Sequence, residues 1–191
     1  VPCEYANIGE FSNGISIVAT SYKFGYMNSS GEVFIQPFAD EAYPFSDGCA
    51  RVVVDGLVGY VDMNGEWVVK PQYQDGGNCS CGLIPVKIDG VYSYISKSTQ
   101  QIVSRSHYAI AKDFDPVYKL ALVSRNDKWG VINTSGREIV PVSYDMVHIL
   151  PDGYIYVERD KKCGVYTTAG IQCFTTSNDQ IHYKVGEPLY D

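Results

Sequence analysis

One spacing recurs along the chain and limits what it can fold into. A small residue between larger ones appears in Phe24-Gly25-Tyr26, Val58-Gly59-Tyr60, Tyr92-Ser93-Tyr94, Trp129-Gly130-Val131 and Cys163-Gly164-Val165. These centres lie 34, 34, 37 and 34 residues apart. The register also holds away from them. A valine stands seven residues before every centre (Val18, Val52, Val86, Val123, Val157). Eleven before stand Gly14, Gly48, Gly82 and Gly153, with Lys119 the exception, and six after stand Gly31, Gly65, Gly136 and Gly170, with Thr99 the exception. Apolar pairs follow at nine and ten, from Phe34-Ile35 to Cys173-Phe174. A fixed period of this size is the mark of a repeat protein, in which each unit covers the apolar surface of its neighbour.

Each column has a local meaning. Ala50-Arg51-Val52-Val53-Val54 alternates about β-branched residues and predicts a first strand. Asp55-Gly56, Asp89-Gly90 and Asn126-Asp127 come next, and such dipeptides supply the positive φ angles of tight hairpins, so a second strand returns through the centre. Asn28-Ser29-Ser30-Gly31, Asp62-Met63-Asn64-Gly65 and Asn133-Thr134-Ser135-Gly136 read as type I turns closed by a left-handed glycine. The same chemistry accounts for the glycosylation-like triplets at Asn28, Asn78 and Asn133. A third strand carries the apolar pair and is expected to end near Pro37, Pro71 or Pro141, where an amide donor is missing.

The expected unit is therefore a three-stranded antiparallel meander, joined to the next by a connector such as Ala42 to Gly48. One meander is too small to stand alone. The fold class is all-β: a single array over residues 1–191, with copies at 11–44, 45–78, 79–115, 116–149 and 150–174. Residues 1–10 read as the end of an upstream copy, since Val1-Pro2-Cys3-Glu4-Tyr5 aligns with Val140 to Tyr144, and 175–191 as a tail or cap carrying one strand at Ile181 to Val185. An open, solenoid-like stack is expected. A small β-propeller is the alternative, and it requires thin blades or a connector that acts as a fourth strand.

Composition removes several partner classes. The net charge of −7, with no basic block, is the wrong footprint for a phosphate backbone, so nucleic acid is not an expected partner. No apolar run is long enough for a membrane-spanning helix, and the first residues do not form a signal peptide. The six cysteines include a C-x-C at Cys79 and Cys81 without the further ligand pair of a zinc site; no metal or cofactor is expected. The cysteines read as a mixture of buried free thiols and at most one bridge, for which Cys163 and Cys173, flanking a predicted hairpin, are the first pair to test.

Lys128-Trp129-Gly130-Val131-Ile132-Asn133, followed by Gly136 to Pro141 and Tyr144-Asp145, resembles a unit of the WG-repeat, or KWG-repeat, family of mainly bacterial proteins. Gly59-Tyr60-Val61-Asp62, with Gly65, Pro71 and Tyr73, resembles a second unit. The resemblance extends over residues 1 to 174, although the tryptophan slot holds Phe24, Val58, Tyr92 and Cys163 in the other copies. Copy three departs furthest, with Ser93, Thr99 and Arg105 in place of two glycines and a proline. The resemblance implies an interaction or scaffolding role, often as an appendage of larger surface or signalling proteins, in an extracytoplasmic or cell-surface setting. It brings no catalytic residues with it.

The motifs of nucleophilic, zinc-dependent and nucleotide-dependent enzymes do not occur in the sequence. Cys79 or Cys81 with His107 is the one conceivable nucleophile and base, and Asp113-Phe114-Asp115, in the connector lengthened by three residues, is the best local cation candidate. The remaining signal is aromatic. Tyr26, Tyr60, Tyr94 and Trp129 recur on the second strand, either as core or as an exposed ladder able to stack on a glycan or clasp a peptide. The expected function is a non-catalytic module binding a protein, peptide or glycan; a hydrolase with its site between copies and a structural spacer are the alternatives.

Overall fold

The computed structural model describes residues 5–103 and 107–175. The upstream strand expected at Val1 to Glu4, Arg105, and the tail with its cap at Ile181 to Val185 lie outside the described residues. Among the described residues every regular element is a strand. The strands form five antiparallel sheets, one per sequence copy, each a simple meander.

The second sheet shows the plan. Glu41–Ser46 pairs with Cys49–Val54, which pairs with Leu57–Asp62, which pairs with Trp67–Tyr73. The first sheet uses Asn7–Ile8, Ile15–Ala19, Phe24–Asn28 and Val33–Ala39; the fourth uses Ile110–Ala111, Leu120–Arg125, Lys128–Asn133 and Glu138–Tyr144. The fifth uses Met146–Ile149, Ile155–Arg159, Lys162–Tyr166 and Gln172–Thr175. The expected three-stranded unit is thus corrected to a four-stranded one, because the connector hydrogen-bonds to the strand that follows it. Glu41↔Val53 and Ser46↔Cys49 are such connector pairs. This is the condition that the propeller alternative required.

The centres explain themselves through the proline. Val58 pairs with Tyr73 and Tyr60 with Val69, so three residues around Pro71 bulge past the single residue Gly59. A Cβ on Gly59 would lie 2.8 Å from the Pro71 nitrogen and 2.9 Å from the Val69 oxygen, both backbone atoms. Gly130 meets Val140 and Val142 in the same way. The third strand therefore does not stop at the proline, as its missing donor suggested; it runs on to Ala39, Tyr73 or Tyr144, with the proline parked in the bulge. In the third sheet Ser93 holds the centre. There the strands Asp75–Gly76, Leu83–Ile88 and Val91–Ser96 are regular, and the outer pairing reduces to the bridges Tyr92↔Tyr108 and Ile95↔Ile102.

Turn geometry survives where glycine does not. Lys119, which replaces the glycine of its column, has φ +57°, and Gln100 beside Thr99 also has φ +57°. Asp62 Oδ1 accepts from the amides of Asn64 at 2.8 Å and Glu66 at 2.9 Å, and Asn28 and Asn133 serve their turns likewise.

The core is divided into four clusters, each lying between consecutive sheets. Tyr26 and Ile35 of the first sheet meet Ala50, Val52 and Val61 of the second. Val58, Tyr60 and Val69 meet Ile84, Val86 and Ile95; Leu83 and Tyr94 meet Ala121, Val123 and Ile132; Val131 and Val140 meet Val147, Ile155 and Val157. The five column valines are all 0–1% exposed. Each such burial stabilises by roughly 1.5–3 kcal/mol. The period of the sequence is thus the period of the core.

Gly59→Ala should destabilise by about 1–3 kcal/mol or more, since the new methyl meets rigid backbone; Gly31→Ala, with open space around it, bears only the left-handed penalty of about 1–2 kcal/mol. Urea midpoints of the two variants check the order. A second expectation concerns acid. Asp40 accepts from Lys23 Nζ at 2.6 Å and from the Asp55 amide at 2.7 Å, while Asp145 accepts from Lys128 and from the Asp160 amide. The lysine bond first, then the amide, holds both carboxyls below the ordinary value. Their contribution is present above the unfolded value of about 4 and disappears as pH falls through the lower folded values. Denaturation midpoints taken across that window should fall more steeply in the parent than in an Asp40→Asn, Asp145→Asn variant.

Candidate functional site

The aromatic ladder is not a surface. Tyr26, Tyr60 and Tyr94 are 0–1% exposed, and the exposed-ladder reading of these residues is corrected accordingly. The physical reason is that the centre residue fixes which way its successor points. One residue past the centre, the ring faces the next sheet and fills the gap between them. Each hydroxyl then donates to a carbonyl of the next connector: Tyr26 to Tyr43 at 2.7 Å, Tyr60 to Gly77 at 2.8 Å and Tyr94 to Lys112 at 2.5 Å. Burial pushes all three phenols far above their ordinary range, so they remain neutral donors. Trp129 belongs to the preceding column, with Phe24, Val58, Tyr92 and Cys163; it is half-buried and packs against the fourth cluster. The position equivalent to the tyrosines in copy four is Val131, which has no hydroxyl to give.

The tyrosine bonds are part of a larger ladder on the edge where the connectors turn into the next strand. Ser46 Oγ donates to the Cys79 carbonyl at 2.7 Å, and Ser80 Oγ to the Phe114 carbonyl at 2.6 Å. Asp47 Oδ2 accepts from the Gly82 amide at 2.6 Å, and Tyr118 Oη donates to the Pro151 carbonyl. Asn78 donates to Asp113 twice, from its amide at 2.8 Å and from Nδ2 at 3.0 Å. These further rungs join residues 33 to 35 positions apart, one repeat, whereas the three tyrosine bonds span 17 or 18.

Clefts open between the rungs. The widest of three, about 420 Å³, is walled by Ser46, Asp47, Asn78, Ser80 and Asp113 and backed by Phe114 and Pro116. On the other side of Lys112 to Asp115 lies a cleft of about 320 Å³ that includes Leu120, Leu122 and His148. A third, about 280 Å³, lies among Tyr118, Asp152, Tyr154 and Thr167. All three sit at sheet junctions on the same connector edge. Their lining combines apolar backing with carboxylates, joined by hydroxyls in the first and third and by Lys112 and His148 in the second, which is the composition of a site that orients a polar ligand.

The sequence candidates for chemistry are distributed otherwise than their motifs suggest. Asp113 is spent on Asn78, with desolvation raising its carboxyl, and Asp115 Oδ1 accepts from the amides of Val117 and Tyr118, both at 2.8 Å. Cys79 Sγ lies 3.6 Å from Asp47 Oδ2, and Cys81 Sγ 3.7 Å from the Asp115 carbonyl. His107 is on the surface. The candidate Cys163–Cys173 bridge is corrected: both thiols are free, Cys163 buried against Tyr156 Oη at 2.9 Å and Cys173 exposed. Val165 pairs with Phe174, so the two cysteines are about three residues out of step along the strands, roughly 10 Å. A disulfide needs Cα atoms within about 7 Å. The clefts themselves had no motif in the sequence, since their walls come from several connectors; of their lining, sequence reasoning had singled out Cys81 and Asp113-Phe114-Asp115, for other chemistry.

Tyr60→Phe should cost about 1–3 kcal/mol by leaving the Gly77 carbonyl without its partner, measured as a fall in the urea midpoint.

Comparison with known proteins returns one family. The WG containing repeat matches residues 24–57, 59–92 and 129–163, more than half of the chain. Curated proteins give no match. Among solved structures, a eukaryotic initiation factor is similar at 12% identity and TM-score 0.59, covering 92% of this chain and 56% of that one. Hsv2 of Kluyveromyces lactis is similar at 14% identity and TM-score 0.52, covering 88% and 64%. The chain thus spans less than two thirds of either. At these identities the likeness shows fold alone, and that fold is β-propeller-like.

Proposed function

Because this chain belongs to the WG-repeat family, we propose that it is a non-catalytic binding module that holds an extended segment of a protein partner along its connector edge. The observation that carries the reading is a run of clefts on that one edge, one spanning the second to fourth sheets and two at the junction of the fourth and fifth. Clefts strung along one edge suit a ligand that is itself extended. The widest cleft offers Asp47 and Asp113 above an apolar backing of Phe114 and Pro116, and the net charge of −7 gives the whole chain a field that draws cations. A peptide with basic side chains alternating with apolar ones fits this lining.

The non-catalytic part of the reading is supported by how the reactive groups are used. Asp113 and Asp115 hold loops together, and the thiols of Cys79 and Cys81 turn towards Asp47 and a backbone carbonyl. The family supplies scaffolds, and an extracytoplasmic or cell-surface setting forms part of the proposal.

Peptide arrays of basic, acidic and neutral sequences, together with a glycan array, test it on the purified chain. Basic peptides should be retained, with affinity falling as salt rises, and Asp113→Asn should weaken retention at least about tenfold, or ~1.4 kcal/mol. Retention of glycans alone, or of peptides without regard to charge, would overturn the choice of ligand. Silence on both arrays would overturn the binding module.

A further inference from the structure

The repeat provides its own control for one unusual junction. Ten residues before each of the first four centres stands a residue packed into the inter-sheet core: Ile15, Leu83 and Leu120 in copies one, three and four, but Cys49 in copy two. Its neighbour in the following connector is identified by the tyrosine bond, which always falls two residues earlier. That neighbour is Phe45 after Tyr26 and Phe114 after Tyr94, but Cys79 after Tyr60. Phe45 lies edge-on to Tyr26 at 4.9 Å between ring centres, and Phe114 edge-on to Tyr94 at 5.0 Å. At the junction of the second and third sheets, both partners of an aliphatic and aromatic contact are replaced together by cysteine.

Cys49 and Cys79 are each 1% exposed and lie in one core cluster with Tyr60. Three tethers hold the strand of Cys79 over Cys49. Ser46, the cross-strand partner of Cys49, donates to the Cys79 carbonyl. Asp47 accepts from both the Cys79 thiol and the Gly82 amide. Lys97 then ties down Asp47, with its Nζ 3.7 Å from the carboxylate and a further bond to the Asp47 carbonyl. The widest cleft runs beside the pair, lined by the flanking residues Ser46, Asp47, Asn78, Ser80 and Cys81.

We propose that Cys49 and Cys79 form a reversible disulfide that clamps the second sheet to the third, accepting oxidising equivalents from low-molecular-weight disulfides. The Cys49 thiolate attacks one sulfur of the external disulfide, forming a mixed disulfide and releasing one thiolate. Cys79 gives up its proton, and its sulfur attacks the Cys49 sulfur and expels the second thiolate. One external disulfide becomes two thiols while the protein dithiol becomes one disulfide, so electrons and protons balance. Cys49 attacks first because the Cys79 thiol holds its proton against the Asp47 carboxylate. The bond closes a loop across one junction and fixes the wall of the cleft beside it. It does not depend on what the cleft binds.

The test uses the intact, native chain. Reduced protein is incubated with oxidised glutathione, remaining thiols are blocked with iodoacetamide, and the digest is mapped by mass spectrometry. A linked pair of Cys49 and Cys79 peptides is expected, absent after dithiothreitol, with the urea midpoint raised on oxidation and restored on reduction. Cys79→Ala should abolish both the link and the rise. Recovery of Cys49 and Cys79 as alkylated thiols after full incubation would overturn the proposal, as would either cysteine linked to Cys81, Cys163 or Cys173. Peptide binding, measured separately, fails or succeeds independently of this bond.

Discussion

A sheet of four short strands has two apolar faces and can shelter neither. Everything in this molecule answers to that constraint. The column valines of copies two to five point one way from their sheets and the centre-following residues point the other. Each of the first three gaps therefore receives a β-branched residue from one side and a tyrosine ring from the other, and the fourth receives Val131 in the place of the ring. Apolar burial alone would allow the sheets to slide. The serine, tyrosine and aspartate rungs on the connector edge remove that freedom, because a buried phenol or carbonyl without its partner costs more than the bond contributes when made. Packing sets the distance between sheets and hydrogen bonding sets their register.

Much of this was legible in residue order. The centres, the valine column and the turn dipeptides gave the strands and their sequence because they act through local geometry, which a period of two and a positive φ express directly. Lys119 shows the limit of that logic, since a lysine keeps the left-handed conformation that glycine serves elsewhere. The connector strand was missed because Ala42 to Ser46 contains Pro44, and it pairs at an edge where a proline does no harm. The proline of the third strand misled in the same way. Its missing amide falls inside a bulge, so the ladder resumes beyond it.

The site was less legible than the fold. Tyrosines spaced by one repeat satisfy the demands of a stacking surface and of a core equally well, and only the direction of the strand after its bulge decides between them. Cleft walls drawn from three connectors leave no motif, because their spacing is that of the repeat itself. The cysteines illustrate the converse. Cys163 and Cys173 are near in sequence and out of step on their strands, while Cys49 and Cys79, thirty positions apart, lie in one core cluster. Sequence proximity is a poor guide where contacts are made between units and not within them.

The serine, aspartate and asparagine rungs join residues 33 to 35 positions apart, from Ser46 with Cys79 to Asn78 with Asp113. A ladder with that pitch is indifferent to how many steps it has. Excision or duplication of one whole unit rejoins donors to equivalent acceptors, whereas a cut of half a unit would leave both halves mismatched along their full height. The lineage of such a chain can therefore lengthen or shorten in whole steps without passing through an unfolded ancestor, and a single step, such as the one carrying the paired thiols, is free to specialise while its neighbours hold the frame.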